Sequence, residues 1–290
     1  MRGPSRRPQK GQPKTQTKRH AGGNSGPRRT SAAGQHPRGE RIQGPKQRPE
    51  RDKARWVIGL HSCEEALRVR PQGVRELWLR EGWESSAQLR ALDERARATR
   101  VPVRAKALGQ LETFGSGHQG AALACTETPE VDWDKLHSAE TARVLILDGI
   151  EDPHNLGSII RTAWLMGVDA IFTPVDRAVG LTPTVCKVAS GGVEHVPLET
   201  AVNLASVMED LKKHNFWIYG LAETGKNRPW DLQLGKKTVW VIGAEAGGIR
   251  KPVERACDEL VRLPQVESGS SFNAAIACAM ALVETCRQLD

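Results

Sequence analysis

The alternation of apolar and polar positions becomes regular at Trp56. The segment WVIGLHSCEEALRV predicts a short strand followed by a helix, and VRELWLR predicts a second strand with basic flanks. A charged helix is predicted over residues 86–99. It is followed by VPVRAK and by GSGHQGAALAC, in which a tight Gly-His-Gln-Gly turn leads into an apolar strand. These elements predict a small α/β unit, which we delimit as residues 54–128.

A second pattern, in which apolar strands alternate with helices, occupies residues 143–290. The polar segment between the two patterns, residues 129–142, contains Pro129 and is predicted to be a linker. Strands are predicted over residues 143–147, 170–172, 217–221, 238–242 and 259–263, and helices from residue 155, near 183–189, over 201–213 and up to residue 287. Continuous apolar strands separated by helices are typical of a parallel sheet covered on both faces. The second part is therefore predicted to be an α/β domain.

Length and cysteine content narrow the class of protein. A chain of 290 residues can form one large or two medium domains, each with its own core. The six cysteines are scattered, with no C-x-x-C pair and no histidine at metal-ligand spacing, so we expect reduced thiols in a cytosolic protein and no metal. The longest apolar run, residues 274–283, is about half as long as a membrane helix. The N-terminus is charged where a signal peptide has an apolar core, so neither membrane insertion nor secretion is indicated.

The net charge of +8 is concentrated at the N-terminus. Of 42 Lys/Arg and 34 Asp/Glu, residues 1–55 hold 16 and 3, which leaves 26 and 31, a net charge of −5, for residues 56–290. Ile42 is the only large apolar residue between Met1 and Trp56, so residues 1–53 are predicted to be a disordered basic tail. A solubilising tail and an organelle transit peptide are alternatives. We favour an arm that lies along nucleic-acid phosphates, because basic blocks of this size usually meet polyanions.

Three loops of the second part follow strand ends, the edge at which open α/β sheets bind ligands. The first is DPHNLGSIIRTAWLMG, where Asp152 and Pro153 break the strand and Asn155 is predicted to cap the helix. Arg161 lies among apolar neighbours at the edge of the polar face of this helix, and we place it in the first turn. A solvated surface arginine is the simpler interpretation, but an arginine just past a strand end can also reach an anion in the same cleft.

The second loop, VWVIGAEAGGIRKP, joins an apolar strand to a run of glycines. Glycines let backbone N–H groups approach a ligand closely. The loop is not a P-loop, because Ile249-Arg250 stands where Lys-Ser/Thr is required, and its spacing fails the dinucleotide fingerprint. A plain tight turn remains an equal alternative.

The third loop, LPQVESGSSFNAAIACAMALVE, places cap-forming residues before an alanine-rich helix. Ser270, Ser271 and Asn273 are the cap-forming residues, and the small side chains after them let another backbone pass close by. Capping alone would explain them. Three polar or glycine-rich turns at one end of one sheet together indicate a ligand-binding or active site.

The same three loops resemble motifs 1, 2 and 3 of the SpoU branch of the SPOUT RNA methyltransferases. The matching segments are ILDGIEDPHNLGSIIRTAWLMGVDAIF, VIGAEAGGIRKPV and LPQVESGSSFNAAIACAMALVE, in the right order and spacing over residues 143–288. IGLHSCEEAL and HQGAALA resemble the ribosomal-protein-like substrate-binding domain that precedes the catalytic domain in the branch that methylates a 23S rRNA guanosine at the 2′-oxygen. DPHNLGSIIRTA and KVASGGVEHVPL are similar to that branch as well.

The resemblance implies an α/β fold in which a parallel-sheet domain with a deep trefoil knot follows a small RNA-binding domain. It implies S-adenosyl-L-methionine as cofactor, RNA as substrate with rRNA the first choice, and an obligate homodimer whose active site takes residues from both chains. The expected function is 2′-O-ribose methylation of a guanosine of 23S rRNA. A tRNA 2′-O-methyltransferase, a catalytically silent ribosome-assembly factor and another nucleotide-dependent enzyme are the alternatives. The expected location is the cytoplasm, or the mitochondrion if the tail is a transit peptide.

The resemblance also assigns residue roles. The catalytic residues it implies are Asn155, Arg161, Glu245, Ser271 and Asn273. The cofactor-binding residues it implies are Leu221, Ile242, Gly243, Glu245, Gly247, Leu263, Ser271 and Phe272. One departure concerns motif 3, where the family usually has Ser-Leu-Asn-Val-Ser and this chain has Ser-Phe-Asn-Ala-Ala, ending at Ala275. If the missing hydroxyl helps to hold the cofactor or the loop, weaker binding or activity is expected.

The reaction of this family needs a ribose 2′-hydroxyl that has lost its proton. The motif 1 arginine is the family's proposed general base, but a guanidinium stays protonated in proteins. We therefore expect Arg161 to neutralise the adjacent phosphate and stabilise the developing alkoxide. The proton would pass to water, to that phosphate or to Glu245.

Overall fold

The computed structural model describes residues 54–126, 128–266 and 270–289. The predicted disordered tail, residues 1–53, lies outside these residues, so its character stays a prediction. No helix in the part that the structure describes combines the length and the apolar character needed to span a membrane.

A four-stranded mixed sheet forms the N-terminal part of the fold. Its strands are β1 (Arg55–Ile58), β2 (Val74–Arg80), β3 (Val103–Lys106) and β4 (Ala121–Cys125), in the spatial order β1-β4-β2-β3. Helices α1 (Leu60–Val69) and α2 (Ala87–Ala98) cover one face, where Leu77, Leu79 and Leu123 are buried. The short helix α3 (Leu108–Glu112), which the pattern did not predict, packs through Leu111 on the other face.

A six-stranded parallel sheet forms the C-terminal part, in the spatial order β10-β8-β9-β5-β6-β7. Its strands are β5 (Ala142–Asp148), β6 (Ala170–Pro174), β7 (Leu198–Ala201), β8 (Trp217–Leu221), β9 (Lys237–Gly243) and β10 (Glu259–Val261). The helices around it are α4 (Trp133–Ser138), α5 (Pro153–Leu165), α6 (Pro183–Val188), α7 (Leu204–Lys213), α8 (Lys251–Ala256) and α9 (Ala274–Leu289). The predicted parallel α/β sheet is confirmed.

Both faces of this sheet are buried, which explains its continuous apolar strands. On β5, Leu145 and Leu147 contribute to the core that holds α5 and α9, while Val144 and Ile146 contribute to the core that holds α7. Because side chains alternate between the faces of a strand, one strand serves both cores.

Three local predictions differ from the structure. Residues 201–213 were predicted as one helix, but the helix begins at Leu204, and residues 198–201 form the edge strand β7. This strand pairs with β6 only and is half exposed, so its sequence lacks the apolar run from which a buried strand is predicted. The predicted linker contains helix α4, which Asp132 caps by accepting a hydrogen bond from the Lys135 N–H. Helix α8 was not predicted.

The cap of α5 is also corrected. Asp152, not Asn155, is the N-cap, and its carboxylate accepts a hydrogen bond from the His154 N–H at 2.9 Å. Pro153 fits the first helical position because it has no N–H to leave unsatisfied. Arg161 is the ninth residue of α5, so the prediction that it lies in the first turn is wrong.

A buried polar network joins the two sheets. Arg55 on β1 pairs with Glu194 at 2.7 Å, and the hydroxyl of Ser62 donates to the Cys186 carbonyl at 3.1 Å. Glu65 contacts Nε2 of His195 at 2.6 Å. Hydrogen bonds from Arg68 lower the pKa of Glu65 to about 2, although burial acts in the opposite direction. The segment around Glu194 thus connects α1 and β1 to the parallel sheet.

Candidate active site

Three polar side chains from the three predicted loops meet at the carboxyl edge of the parallel sheet. The side-chain amides of Asn155 and Asn273 both donate to Oε1 of Glu245 at 2.8 Å. The amide of Asn273 also donates to Oδ1 of Asn155 at 2.7 Å. The cluster lies where β5 and β9 are neighbours and their connections diverge, the position at which open α/β sheets bind ligands.

Local structure orients each member of this cluster. Because Asp152 caps α5, the side chain of Asn155 in the first turn is not used for capping and can bind Glu245. Asn155 is 7% exposed. Glu245 lies in a turn closed by two backbone hydrogen bonds between Ala244 and Gly248. Oδ1 of Asn273 accepts hydrogen bonds from the N–H groups of residues 275 and 276, so this asparagine caps α9 while its amide points to Glu245.

A cavity of about 550 Å³ lies beside the cluster. All eight residues that the sequence proposed as cofactor-binding line it: Leu221, Ile242, Gly243, Glu245, Gly247, Leu263, Ser271 and Phe272. Its volume falls within the range of small-molecule sites. The structure thus brings the proposed cofactor residues together around one space, and their roles stay a prediction.

Gly243 ends β9 at the wall of the cavity and cannot be replaced by a larger residue. A Cβ at this position would lie 2.2 Å from the carbonyl carbon of Gly248. The turn that carries Glu245 therefore folds back directly onto the end of its strand. The glycine run has this packing role whether or not its N–H groups bind a ligand.

The sequence did not single out the ion pair that fixes this turn. Asp148 is fully buried at the end of β5 and accepts hydrogen bonds from the backbone N–H of Arg250 at 2.8 Å and from its Nε at 2.6 Å. The pair ties the end of β5 to the end of the Glu245 turn. The sequence did indicate that Asp148 is unusual, because it is a carboxylate at the end of an apolar strand, in the segment VLILDGI.

Two of the proposed catalytic residues lie outside the hydrogen-bonded cluster. Ser271 lines the cavity but makes no hydrogen bond to any residue that the structure describes. Arg161 is exposed and has no recorded partner among the described residues. It lies six positions after Asn155, which places it roughly 120° away around the helix. The structure therefore does not direct Arg161 at the cluster of its own chain.

The described residues also include a group of metal-ligand type, remote from this edge. His137, Asp210 and His214 have potential ligand atoms within 4.8 Å of one another. The two imidazole rings are stacked, with centroids 3.6 Å apart and planes 2° apart. In-plane nitrogen lone pairs of stacked rings run parallel and do not converge on one ion. The expectation of no metal stays a prediction.

Comparison with known proteins identifies the family. Residues 142–283 match the SpoU rRNA Methylase family, and residues 56–131 match the family described as RNA 2'-O ribose methyltransferase substrate binding. The 23S rRNA (guanosine-2'-O-)-methyltransferase RlmB of Pseudomonas aeruginosa is 37% identical over 240 residues, which cover 80% of this chain and 96% of the relative. The chain belongs to the SpoU rRNA Methylase family.

Other SpoU proteins agree with this result. The protein of the same name from Coxiella burnetii is 36% identical over 82% of this chain and 97% of its own length. The crystal structure of the SpoU methyltransferase AviRb from Streptomyces viridochromogenes in complex with AdoMet has a TM-score of 0.72 at 26% identity, over 80% of this chain and 89% of that one. The similarity therefore extends over both sheets.

Proposed function

We propose that this chain is an S-adenosyl-L-methionine-dependent RNA 2′-O-ribose methyltransferase that acts on a guanosine of 23S rRNA. The observation that carries the proposal is the Asn155–Glu245–Asn273 cluster at the rim of a ligand-sized cavity. The names of the SpoU relatives support both the reaction and the substrate.

The cavity suits this cofactor in size and chemistry. Leu221, Ile242 and Leu263 offer apolar surface for an adenine ring, and the backbone of the Glu245 turn offers hydrogen-bonding groups. Glu223 and Glu245 border the same space and complement a cation, because the two cations of the lining, Arg250 and Lys251, are paired with Asp148 and Glu254. When bound, S-adenosyl-L-methionine supplies an electrophilic methyl group on a positively charged sulfur.

The residues of this chain have separate tasks in the reaction. Asn155 and Asn273 hold the Glu245 carboxylate through one oxygen, which leaves its second oxygen able to accept a proton. Arg161 supplies positive charge that neutralises a phosphate and stabilises the developing alkoxide of the ribose. Water and the phosphate are the alternative proton acceptors.

We further propose that the site is completed in a homodimer. Helix α9 exposes an apolar stripe at Ile276, Met280 and Val283, and Leu165 at the end of α5 is 67% exposed. Exposed stripes of this kind mark protein interfaces. Arg161 is also exposed and lies one turn before Leu165 on α5, so we place it at this interface, facing the partner's cavity. Sedimentation of the protein should give twice the monomer mass.

Finer features of the fold belong to this proposal. We propose a trefoil knot in the C-terminal part, a ribosomal-protein-like RNA-binding domain over residues 54–128, a linker over 129–142 and a methyltransferase domain over 143–290. The similarity to SpoU structures supports these features. A cytoplasmic location is proposed as well, supported by the six free cysteines. Fractionation of cells against a mitochondrial marker tests it.

Calorimetry and methylation mapping test the function directly. The protein is expected to bind S-adenosyl-L-methionine and not NAD, and rRNA from a deletion strain should lack one ribose methyl group on a 23S guanosine. A missing methyl group in tRNA would favour the tRNA enzyme. Ala275 favours a silent assembly factor as second candidate, because the family usually has serine there. Unaltered methylation in the deletion strain, together with no cofactor binding, would favour that factor.

The basic tail gives a separate prediction about RNA capture. Residues 56–290 carry a net charge of −5, and Arg55 is paired with Glu194, so the other 15 Lys/Arg of residues 1–55 are the main candidates for phosphate contacts. If the tail makes Z contacts, it should contribute about 0.7 Z to the salt slope on single-stranded RNA. Removing residues 1–50 should weaken binding and flatten the slope, yet leave cofactor affinity and the methylated nucleotide unchanged. Equal slopes for both proteins would make the tail a solubilising or targeting segment.

A further inference from the structure

Arg177 has a backbone conformation that its position does not explain. Five non-glycine residues among those described have a positive φ: Arg100, Gln119, Arg177, Ser190 and Asn215. Four of these follow the end of a helix or a 3-10 turn, where a left-handed residue is an ordinary terminator. Arg177, with a φ of 58°, instead follows strand β6. Such strained residues persist where the surrounding structure holds them, often at functional sites.

The turn that contains Arg177 is fixed to the edge of the candidate active site. The N–H of Val179 donates to the carbonyl of Ile150 at 3.0 Å, directly after the end of β5. A Cβ placed on Gly149 would lie 3.9 Å from the carbonyl oxygen of Arg177 and 3.4 Å from the Cβ of Ala244. Ala244 directly precedes Glu245. Arg177 therefore borders the edge on which the Asn155–Glu245–Asn273 cluster lies.

The side chain of Arg177 is available to bind a ligand. It is exposed, and within the part of the chain that the structure describes it has no hydrogen bond or ion pair. Asp176 is its neighbour in sequence yet does not pair with it. A guanidinium offers a planar fork of donors that matches a phosphate.

We propose that Arg177 is a substrate-positioning residue that binds a backbone phosphate of the RNA beside the target nucleotide. The inference rests on the proposed function, since it supplies the RNA, but it concerns binding and not the chemical step. Arg161 is assigned to the developing charge at the ribose, whereas Arg177 fixes the register of the strand. Phosphate contacts position a nucleic acid without reading its sequence.

Substitution of Arg177 in the full chain tests this role, with a transcript of 23S rRNA as the probe. Arg177→Ala is expected to lower RNA affinity about tenfold, as for one charge-assisted contact. The salt slope of log affinity should fall by about 0.7 to 0.9, the contribution of one phosphate. KM for RNA should rise while kcat and S-adenosyl-L-methionine affinity stay within about twofold, and Arg177→Lys should recover part of the affinity.

Asn215 provides a control for the strain, because it is also exposed, has a φ of 65° and lies between α7 and the start of β8, at the opposite edge of the parallel sheet from the cluster. Asn215→Gly and Arg177→Gly should both raise the thermal midpoint by relieving the strain of a positive φ, with the smaller rise at Asn215, because asparagine tolerates this region better than arginine. Only Arg177→Gly should lose RNA affinity, and a protein that is more stable yet binds RNA worse cannot be explained by a structural role.

Two results would overturn the inference. One is an unchanged RNA affinity and salt slope in Arg177→Ala, and the other is an equal loss in Lys213→Ala, which removes an exposed cation at the end of α7. If the wild type binds the transcript without methylating any RNA, the proposed function fails. The salt slopes of the Arg177 variants then still decide the inference, because they need no turnover.

Discussion

Arg161→Ala is expected to lower the single-turnover rate of methyl transfer by about 10²- to 10³-fold, the usual effect of removing one group that stabilises developing charge. S-adenosyl-L-methionine affinity should stay within a few-fold, because Arg161 does not line the cavity of its own chain and is assigned to the RNA at the partner's site. Arg161→Lys should recover only part of the rate, since an ammonium lacks the planar fork. Single-turnover kinetics with saturating RNA isolates the chemical step from RNA binding.

A second cation serves as the control for this experiment. Lys213 is exposed at the end of α7, which packs on the opposite face of the sheet from α5. Lys213→Ala removes the same charge without approaching the proposed site, so its rate should equal that of the wild type. Near-normal turnover in Arg161→Ala would reject the assignment of Arg161.

Mixing two inactive variants tests whether the site is shared. If Arg161 acts in the partner's cavity, a dimer of Arg161→Ala with Asn155→Ala contains one intact site. Random mixing in equal amounts would then restore about a quarter of wild-type activity, because half of the dimers are mixed and each has one working site of two. No recovery after exchange of subunits would place both residues in the same chain's site.

The apolar pattern predicted the central strands because they are buried on both faces. It could not predict the edge strand β7, whose residues Leu198–Ala201 are half exposed and pair only with β6. Nor could it give the order of strands, since each parallel strand of the core has the same apolar composition. Spacing along the chain does not say that β9 lies between β8 and β5.

The site was accessible from the sequence only in part. Local rules treated Asn155 as a helix cap, whereas Asp152 takes that role and leaves Asn155 to bind Glu245. The pattern predicted that the loops of Asn155 and Glu245, 90 positions apart, lie at one end of the sheet, and the family resemblance gave their catalytic roles, but neither predicted the hydrogen bond between them. The Asp148–Arg250 pair spans 102 positions, and the carboxylate at the end of an apolar strand did not indicate which residue it pairs with. The positive φ of Arg177 is a property of the folded turn alone.

The second large effect is expected on stability, at the ion pair that joins the two sheets. The side chain of Glu194 is 2% exposed, and both of its oxygens accept hydrogen bonds from Arg55, at 2.7 and 3.0 Å. Arg55→Ala would leave this carboxylate buried without its cation. Breaking a buried pair in this way costs about 3 to 5 kcal/mol, so the free energy of unfolding should fall by that amount.

Two variants show whether that loss comes from the buried charge. Lys236 and Glu140 form an exposed pair of similar length, 2.6 Å, with side chains 64% and 82% exposed. Lys236→Ala should cost less than about 1 kcal/mol, because solvent screens such pairs. The double variant Arg55→Met/Glu194→Leu should recover most of the stability, since replacing both charges removes the unmet desolvation cost. Urea unfolding at one protein concentration measures all of these proteins. A loss below about 1 kcal/mol in Arg55→Ala would mean that water reaches Glu194 and that the two sheets are held together mainly by their apolar contacts.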